Sequence, residues 1–298
     1  MTQNKCCRRG ANLRRRRRRR RKILRSIIFS CSIIAVAVFV AVGSSMIRSG
    51  DGRTNRYDVE AGNNTYDNAV IENSKISEKN KIQNNQSMLD DIMNSTQYPK
   101  QLKDLALKNE EALEFVYDYP AEHVKEHTID LAEEASMDSV PLFVQWDKRW
   151  GYEKYSGNFF AASGCGPTTL SMVVVYLTHN REASPIAVAK YSKEAGYSVD
   201  GSGSSWTLIS EGCMHYGVKA KAVALDESRM KAELDEGHPI VVNVGPGDFT
   251  DTGHFMVITG YDDEGFSIND PNSIEKSGKR WLFKNISSQI RAVWSMYV

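Results

Sequence analysis

The sequence predicts an α+β domain over residues 140–298. Two observations predict it: the first half of this region has helical periodicity, and the second half has short apolar runs separated by turn residues. Helices that precede a group of antiparallel strands define the α+β class. About 160 residues are enough for one domain with a sizeable core.

The first predicted helix follows a cysteine that lies between two glycines. An apolar stripe with the spacing i, i+3, i+4, i+7 begins at Leu170, and Pro167 suits a first helical turn, where no N–H is needed. The helix is predicted to end near residues 178–180. Cys165 therefore lies at a helix N-terminus, where unpaired N–H groups and the helix dipole favour a thiolate.

Further elements follow in chain order. Cap residues followed by proline mark helix starts, and glycines mark helix ends. The sequence predicts helices over residues 184–196, 204–217 and 226–236, and strands over residues 220–225, 238–244, 254–261, 266–270 and 291–298. The turn at residues 262–265 joins two of these strands as a hairpin. An irregular glycine-rich loop precedes the strand that begins at His254.

The amino-terminal end is strongly basic, whereas the rest of the chain is acidic. Thirteen of the 38 Lys and Arg residues fall within residues 1–25, which leaves 25 basic residues against all 37 acidic ones. An acidic body argues against nucleic-acid binding by the folded part. We therefore predict a separate basic cytoplasmic tail over residues 1–26 and no nucleic-acid partner.

An apolar segment follows the tail directly. Residues 27–47 are almost free of charge and long enough to cross a bilayer as one helix. The positive-inside rule keeps the arginine run in the cytoplasm and the carboxyl-terminal body outside. We predict a transmembrane signal anchor in a single-pass cell-membrane protein; a signal peptide cleaved after residues 41–43 is the alternative. Both hypotheses export the body.

Two segments connect the anchor to the domain. Residues 48–98 are polar and predict a flexible spacer, because they offer too little apolar surface to offset chain entropy. Residues 99–139 predict a helical lead-in, with an apolar stripe that packs on the following domain.

Cysteine chemistry requires a thiolate, a base for its proton and a group that orients the base. Of the six histidines, His254 alone opens a buried-looking strand directly after a glycine-rich loop, where its side chain can face a cleft. The hairpin returns Asp270 beside it. Asn269 has the same capacity to orient an imidazole, and period-2 alternation allows only one of the two to face His254.

An acyl-transfer site also needs donors for the developing oxyanion. The backbone N–H of Cys165 is one candidate, and the side-chain amide of Gln145 is a second. No His, Cys or carboxylate cluster has metal-ligand spacing, so we predict no metal and no other cofactor.

Several motifs together resemble a known family. They are the segment Val140–Asp147 with Trp150, the Gly-Cys-Gly-Pro-Thr run, Gly253-His254-Phe255 and Asn269-Asp270-Pro271. This set is similar to the bacterial family-thirty-nine cysteine peptidases, and more closely to their stand-alone "thirty-nine-like" branch than to the leader-cutting domains of bacteriocin exporters. The resemblance covers roughly the last half of the chain.

The resemblance implies a papain-like cysteine peptidase fold. The nucleophile would lie in a helical half, and the histidine and aspartate in an antiparallel sheet half. It further implies Cys165 as nucleophile, His254 as base, Asp270 as orienting acid and Gln145 as oxyanion donor. The expected protein is an extracellular, membrane-anchored cysteine peptidase that acts on a peptide or protein.

The sequence is also compatible with two functions other than that of a cysteine peptidase. The first is a peptidoglycan amidase or endopeptidase, which fits the predicted surface location; the Gly-Cys-Gly sequence differs, however, from the Asp-Cys-Ser start of such enzymes. The second is a surface binding module without catalysis on a papain-like scaffold. Reactivity of Cys165 distinguishes the second alternative from the enzymes.

Overall fold

A computed structural model describes the backbone of residues 64–298 and the side chains of residues 77–298. The residues from Val70 to Val298 form one compact unit. Within it the helices come first and most of the strands later, so the predicted mixed helix-and-sheet class is confirmed.

The helices of the described residues are α1 (Asn64–Asn94), α2 (Lys100–Lys108), α3 (Leu113–Tyr117), α4 (Tyr119–Glu122), α5 (Ala132–Ser136), α6 (Phe160–Ser163), α7 (Cys165–Thr178), α8 (Pro185–Glu194), α9 (Thr207–Ser210), α10 (Glu227–Asp235), α11 (Ile274–Ser277) and α12 (Phe283–Ile286). Short 3₁₀ turns cover Glu110–Ala112, Gly212–Tyr216 and Ser287–Gln289.

The strands are β1 (Lys154–Tyr155), β2 (Asn158–Phe159), β3 (Ser198–Val199), β4 (Gly203–Ser204), β5 (Lys219–Ala222), β6 (Ile240–Val244), β7 (His254–Asp262), β8 (Gly265–Asn269), β9 (Arg280–Trp281) and β10 (Ile290–Tyr297). Six of them form an antiparallel sheet in the order β5-β10-β6-β7-β8-β9. The strands β1–β2 and β3–β4 form two small hairpins.

The central strand β7 separates two cores, because successive side chains of a strand point to opposite faces. Phe255 and Val257 belong to the cluster that contains α7 and α8. Met256 and Ile258 belong to the cluster that contains α10 and α12. The same alternation aligns His254 with the Met256 side of the sheet.

Helix boundaries near the site follow the predicted signals. Helix α7 begins at Cys165 and ends before His179, whose left-handed backbone (φ 57°) terminates it. Ser184 caps α8 by accepting a hydrogen bond from the N–H of Ala187. Both helices were expected at these positions from the cap, proline and apolar-stripe signals.

The predicted helix over residues 204–217 is wrong as a single element. It divides into the one-turn helix α9 and a 3₁₀ turn, with a break at Glu211 (φ −126°, ψ −46°). Gly212 follows the break and packs closely, since a Cβ there would lie 3.1 Å from the ring of Tyr197. Close packing of a glycine, which disfavours helix, accounts for the interruption.

The predicted flexible spacer is wrong over its second part. Residues Asn64–Asn94 form helix α1, although the segment is polar. Ile92 is fully buried, and Met88 and Leu89 pack against the same cluster as the lead-in helices. A few apolar side chains near the end of the segment thus attach it to the domain, which average composition does not indicate.

The predicted basic tail (1–26), the predicted anchor (27–47) and the first part of the predicted spacer (48–63) lie outside the described residues. Within the described residues, no helix is both long enough and apolar enough to cross a membrane.

The lead-in packs on the domain through an apolar cluster of its own. Leu102, Ala112 and Val116 are fully buried and share this cluster with Phe159 and Ala161. These last two residues lie just before Cys165 in the chain. The lead-in helices α2–α4 therefore contact the segment that leads into helix α7.

Candidate active site

Two close contacts explain why glycines flank Cys165. A Cβ on Gly164 would lie 2.6 Å from the ring of Phe160, and one on Gly166 would lie 2.5 Å from Oγ of Ser204. Only residues without a side chain fit against both neighbours. The glycines thus let the first turn of α7 lie tightly between α6 and β4, with the partly exposed Cys165 thiol at its start.

His254 lies at the first residue of β7, paired with Val244 of β6, and is almost completely buried. Its Nε2–H donates to Oδ1 of Asp270 across 2.7 Å. The Cys165 thiol lies close enough to this imidazole for each group to shift the pKa of the other. The structure therefore connects Cys165, His254 and Asp270, which lie far apart in sequence.

The sheet register selects Asp270 rather than Asn269 as the partner of His254. Asn269 pairs with Val257, so it lies on the opposite face of the sheet from His254. Its side-chain amide instead donates to the carbonyl groups of Val140 and Pro141, at 3.1 and 3.0 Å. Asp270 is fully buried, and its Oδ1 also accepts the backbone N–H of Asn272 at 2.8 Å.

Gln145 lies between the segment before Cys165 and the loop after Asp270. Its backbone N–H donates to the carbonyl of Pro271 at 2.7 Å. Its side-chain Nε2 donates to the carbonyl of Ala161 at 2.7 Å and to Oδ1 of Asn272 at 3.2 Å. Both amide hydrogens are thus directed at protein acceptors, and the role of Gln145 as an oxyanion donor stays a prediction.

The pKa values of the thiol and the imidazole shift in opposite directions. Burial on its own would raise the pKa of the Cys165 thiol, but the hydrogen bond and charge of His254 and the N–H groups of Phe255 and Gly166 lower it overall. Burial likewise opposes the imidazolium, yet Asp270 and Cys165 raise the pKa of His254 to about 10. Both shifts favour the ion-paired form, a thiolate beside an imidazolium.

Cys213 provides an internal contrast. It is fully buried in the core cluster beneath α7, and burial raises the pKa of its thiol to about 11. The two described cysteines are both free thiols. A buried, protonated thiol is a poor nucleophile, so of these two described cysteines Cys165 has the environment of a reactive one.

We expect the rate of Cys165 alkylation by iodoacetamide to fall less steeply from pH 8 to pH 6 than that of an ordinary thiol, because the pKa of this thiol is lowered. An ordinary thiol loses about 100-fold in rate over that window, because its thiolate fraction falls tenfold per pH unit below its pKa. Mass spectrometry of timed samples measures each cysteine separately, with Cys213 as the unreactive internal control. A tenfold loss per pH unit at Cys165 would contradict the ion pair.

Sequence reasoning missed three residues around this site. Asn272 contacts both Asp270 and Gln145, and Asn109 and Glu111 of the lead-in contact the loop that carries Asp270. The Asn-Glu-Glu run at 109–111 is a recognisable cap sequence. Nothing local to that run, however, indicates a partner more than 160 positions later.

In the part of the chain that the structure describes, no group of three or more His, Cys, Asp or Glu side chains is placed to hold a metal ion.

A cysteine at a helix start, held against a histidine and an aspartate from an antiparallel sheet, is an arrangement known from thiol hydrolases. The chain belongs to the Peptidase_C39 like family, whose model matches residues 137–298, more than half of its length. No match to the chain is found among curated proteins.

Two solved structures are similar to this chain. One is the peptidase domain of Streptococcus ComA, a bi-functional ABC transporter involved in a quorum sensing pathway; it is 20% identical, with a TM-score of 0.37, over 45% of this chain and 90% of that one. The other is a putative C39-like peptidase from Bacillus anthracis; it is 18% identical, with a TM-score of 0.34, over 53% and 95%. Scores of this size carry no further argument.

Proposed function

We propose that this protein is a cysteine peptidase that hydrolyses peptide bonds through Cys165, His254 and Asp270. The observation that carries the proposal is the buried hydrogen bond of His254 to the Asp270 carboxylate, with the Cys165 thiol close enough to the imidazole for each group to shift the pKa of the other. Membership of a peptidase family supports the same class of reaction.

The proposed first half-reaction is acyl transfer to the thiol. The Cys165 thiolate attacks the carbonyl carbon of the scissile bond, and the carbonyl electrons move to oxygen as the C–S bond forms. The C–N bond then breaks, and the His254 imidazolium gives its proton to the leaving amine. The product is a thioester on Cys165 together with neutral His254.

The second half-reaction uses the neutral imidazole as a base. His254 takes a proton from water, and the oxygen of that water attacks the thioester carbonyl. The C–S bond breaks, the acid product leaves, and the thiolate–imidazolium pair forms again. Asp270 fixes the orientation of the ring and stabilises its positive form throughout.

The oxyanion requires donors at the start of α7. The backbone N–H of Cys165 belongs to the first helical turn, where N–H groups have no partner within the helix. Gln145 is the proposed second donor. To act there, its amide must exchange one present acceptor for the oxyanion, and the 3.2 Å contact with Asn272 is the longer of its two.

We also propose that the peptidase is displayed on the outer side of the cell membrane. The support comes from sequence: a basic tail is followed by the 21-residue apolar segment 27–47. Reaction of an engineered tail cysteine with a membrane-impermeant thiol reagent on intact cells, compared with one near residue 298, tests this orientation. Labelling of the tail site alone would refute it.

A peptide-library experiment tests the activity itself. We expect the full-length protein, purified in mild detergent, to generate new peptide amino termini. A thiol-directed epoxide should stop cleavage as it forms a single adduct on Cys165, whereas a metal chelator should not. Cleavage that persists in fully modified protein, or that stops with the chelator alone, would refute the proposal.

A further inference from the structure

We infer that the helical lead-in is part of the catalytic apparatus, with Asn109 and Glu111 as positioning residues for the loop that carries Asp270. This inference rests on the proposed peptidase function and extends it to residues outside the family match, which begins at residue 137. The loop in question, called the aspartate loop below, comprises residues 270–277.

Asn109 connects the lead-in to Asn272. Its Nδ2 donates to the backbone carbonyl of Asn272 at 2.9 Å and to Oδ1 of the same residue at 3.1 Å. Asn272 in turn donates its N–H to Asp270 and accepts from Gln145. Asn109 thus holds Asn272 in place. Asn272 contacts both Asp270, the predicted orienting acid, and Gln145, the predicted oxyanion donor.

Glu111 makes a second connection two residues later. Its carboxylate accepts from Oγ of Ser273 and from the backbone N–H groups of Ile274 and Glu275, the latter two at 2.7 and 3.1 Å. These N–H groups lie at the start of α11 and have no partner within that helix. Glu111 therefore supplies acceptors from another part of the chain and fixes the start of α11.

The lead-in is itself held against the other side of the site. Its buried cluster includes Phe159 and Ala161, and Ala161 also accepts the side-chain amide of Gln145. An ion pair of 2.5 Å between Lys148 and Asp118 joins the middle of the lead-in to the domain. The lead-in thus bridges the segment before Cys165 and the aspartate loop.

This arrangement has a consequence for His254. The hydrogen bond from His254 to Asp270 depends on where the aspartate loop holds the carboxylate. Misplacement of a reacting group by about 1 Å can cost 100-fold in rate. Loss of the contacts from the lead-in should therefore weaken the thiolate–imidazolium pair without touching any of its members.

Two substitutions remove these contacts selectively. Asn109→Asp keeps the Oδ1 that accepts the N–H of Glu111 at 3.0 Å but removes the donor to Asn272. Glu111→Ala removes the acceptor for α11, and Glu111→Gln retains part of it. Glu110→Ala is the matched control, because Glu110 is an exposed neighbour whose carboxylate accepts instead from Asn85 at 2.8 Å.

The measurement is the rate of Cys165 alkylation by iodoacetamide at pH 6 and pH 9 in the full-length protein, well below each variant's Tm. We expect Asn109→Asp and Glu111→Ala to lower the pH 6 rate about 10- to 100-fold, with a smaller loss at pH 9. Glu111→Gln should fall between Glu111→Ala and wild type, and Glu110→Ala should stay within about twofold. If Glu111→Ala fails to fold, the two conservative variants carry the test.

The outcomes separate the inference from the function on which it rests. Wild-type alkylation that is fast at pH 6 and unchanged in Asn109→Asp and Glu111→Gln overturns the positioning role alone. An equal loss at both pH values in all four variants indicates general destabilisation and also overturns it. If wild-type Cys165 reacts no faster than Cys213, the peptidase proposal fails, and this inference fails with it.

Discussion

Replacement of Cys165 by alanine should reduce peptide hydrolysis by about 10⁵-fold or more. The thiolate forms the covalent intermediate in the proposed mechanism, so nothing in the site replaces it. Phe160 and Ser204 pack closely against the glycines on either side of Cys165. Alanine is smaller than cysteine, so it fits at this partly exposed position without displacing either of them. The measurement is kcat/KM on a peptide taken from the library experiment.

Cys213→Ala is the matched control for this variant. Cys213 lies in the core, and its removal should cost about 1 kcal/mol in the free energy of unfolding while kcat/KM stays within about twofold. Cys165→Ser tests the chemistry more finely, since a hydroxyl in this position stays protonated where the thiol is ionised. Peptide cleavage by Cys165→Ala at a rate within tenfold of wild type would exclude a thiol mechanism.

Much of the domain was predictable because local signals agree with tertiary structure. Helix α8 begins at Pro185 after the cap residue Ser184, and β7 begins at His254 after a glycine-rich loop. At such positions the start of the helix or strand is determined by caps, prolines and alternation, and these features are visible in the sequence. The pairing of His254 with Asp270, however, depends on a β-bulge between Ile258 and Gly260. The bulge shifts the register of β8 by one residue and so places Asp270, rather than Asn269, on the face of His254; alternation counted from the turn does not give this register.

The parts that were not predictable depend on contacts distant in sequence. Glu111 caps a helix that begins at Ile274, and Asn109 reaches Asn272. Neither end of these contacts has a local feature that identifies the other. The helix at Asn64–Asn94 was missed for a similar reason, because a few buried side chains near its end attach a segment that is otherwise polar.

Gln145 illustrates a different limit. The tertiary structure places its side chain between Ala161 and Asn272, close to the site. The direction of its amide hydrogens decides whether it can serve an oxyanion. That direction is set by acceptors on two separate segments, so residue type and spacing alone do not determine it.

Replacement of His254 by alanine should lower amide hydrolysis at pH 7 by at least about 10⁴-fold. Two losses combine in this variant. Without the imidazolium, burial raises the pKa of the Cys165 thiol again, and little thiolate remains at neutral pH. In addition, no acid is left to protonate the leaving amine. The control is His238→Ala, because His238 contacts Glu233 at 3.2 Å and makes no contact with Cys165 or Asp270 among the hydrogen bonds of the described residues; its kcat/KM should stay within about twofold.

Substrates with different leaving groups separate the two effects of His254→Ala, which are the loss of thiolate and the loss of the acid. A p-nitrophenyl ester releases a phenolate that needs no proton, so its hydrolysis requires only the thiolate. We expect ester hydrolysis by the variant to recover at least about tenfold between pH 7 and pH 10, as the thiol ionises, while amide hydrolysis stays low. Rates are measured on both substrates at both pH values, with thermal unfolding to show that each sample is folded. Parallel recovery of amide and ester hydrolysis would mean that His254 stabilises the thiolate but gives no proton to the amine. If only ester hydrolysis recovers, His254 has both roles: it stabilises the thiolate, and it gives a proton to the leaving amine. The position of its side chain between Cys165 and Asp270 allows it to perform both.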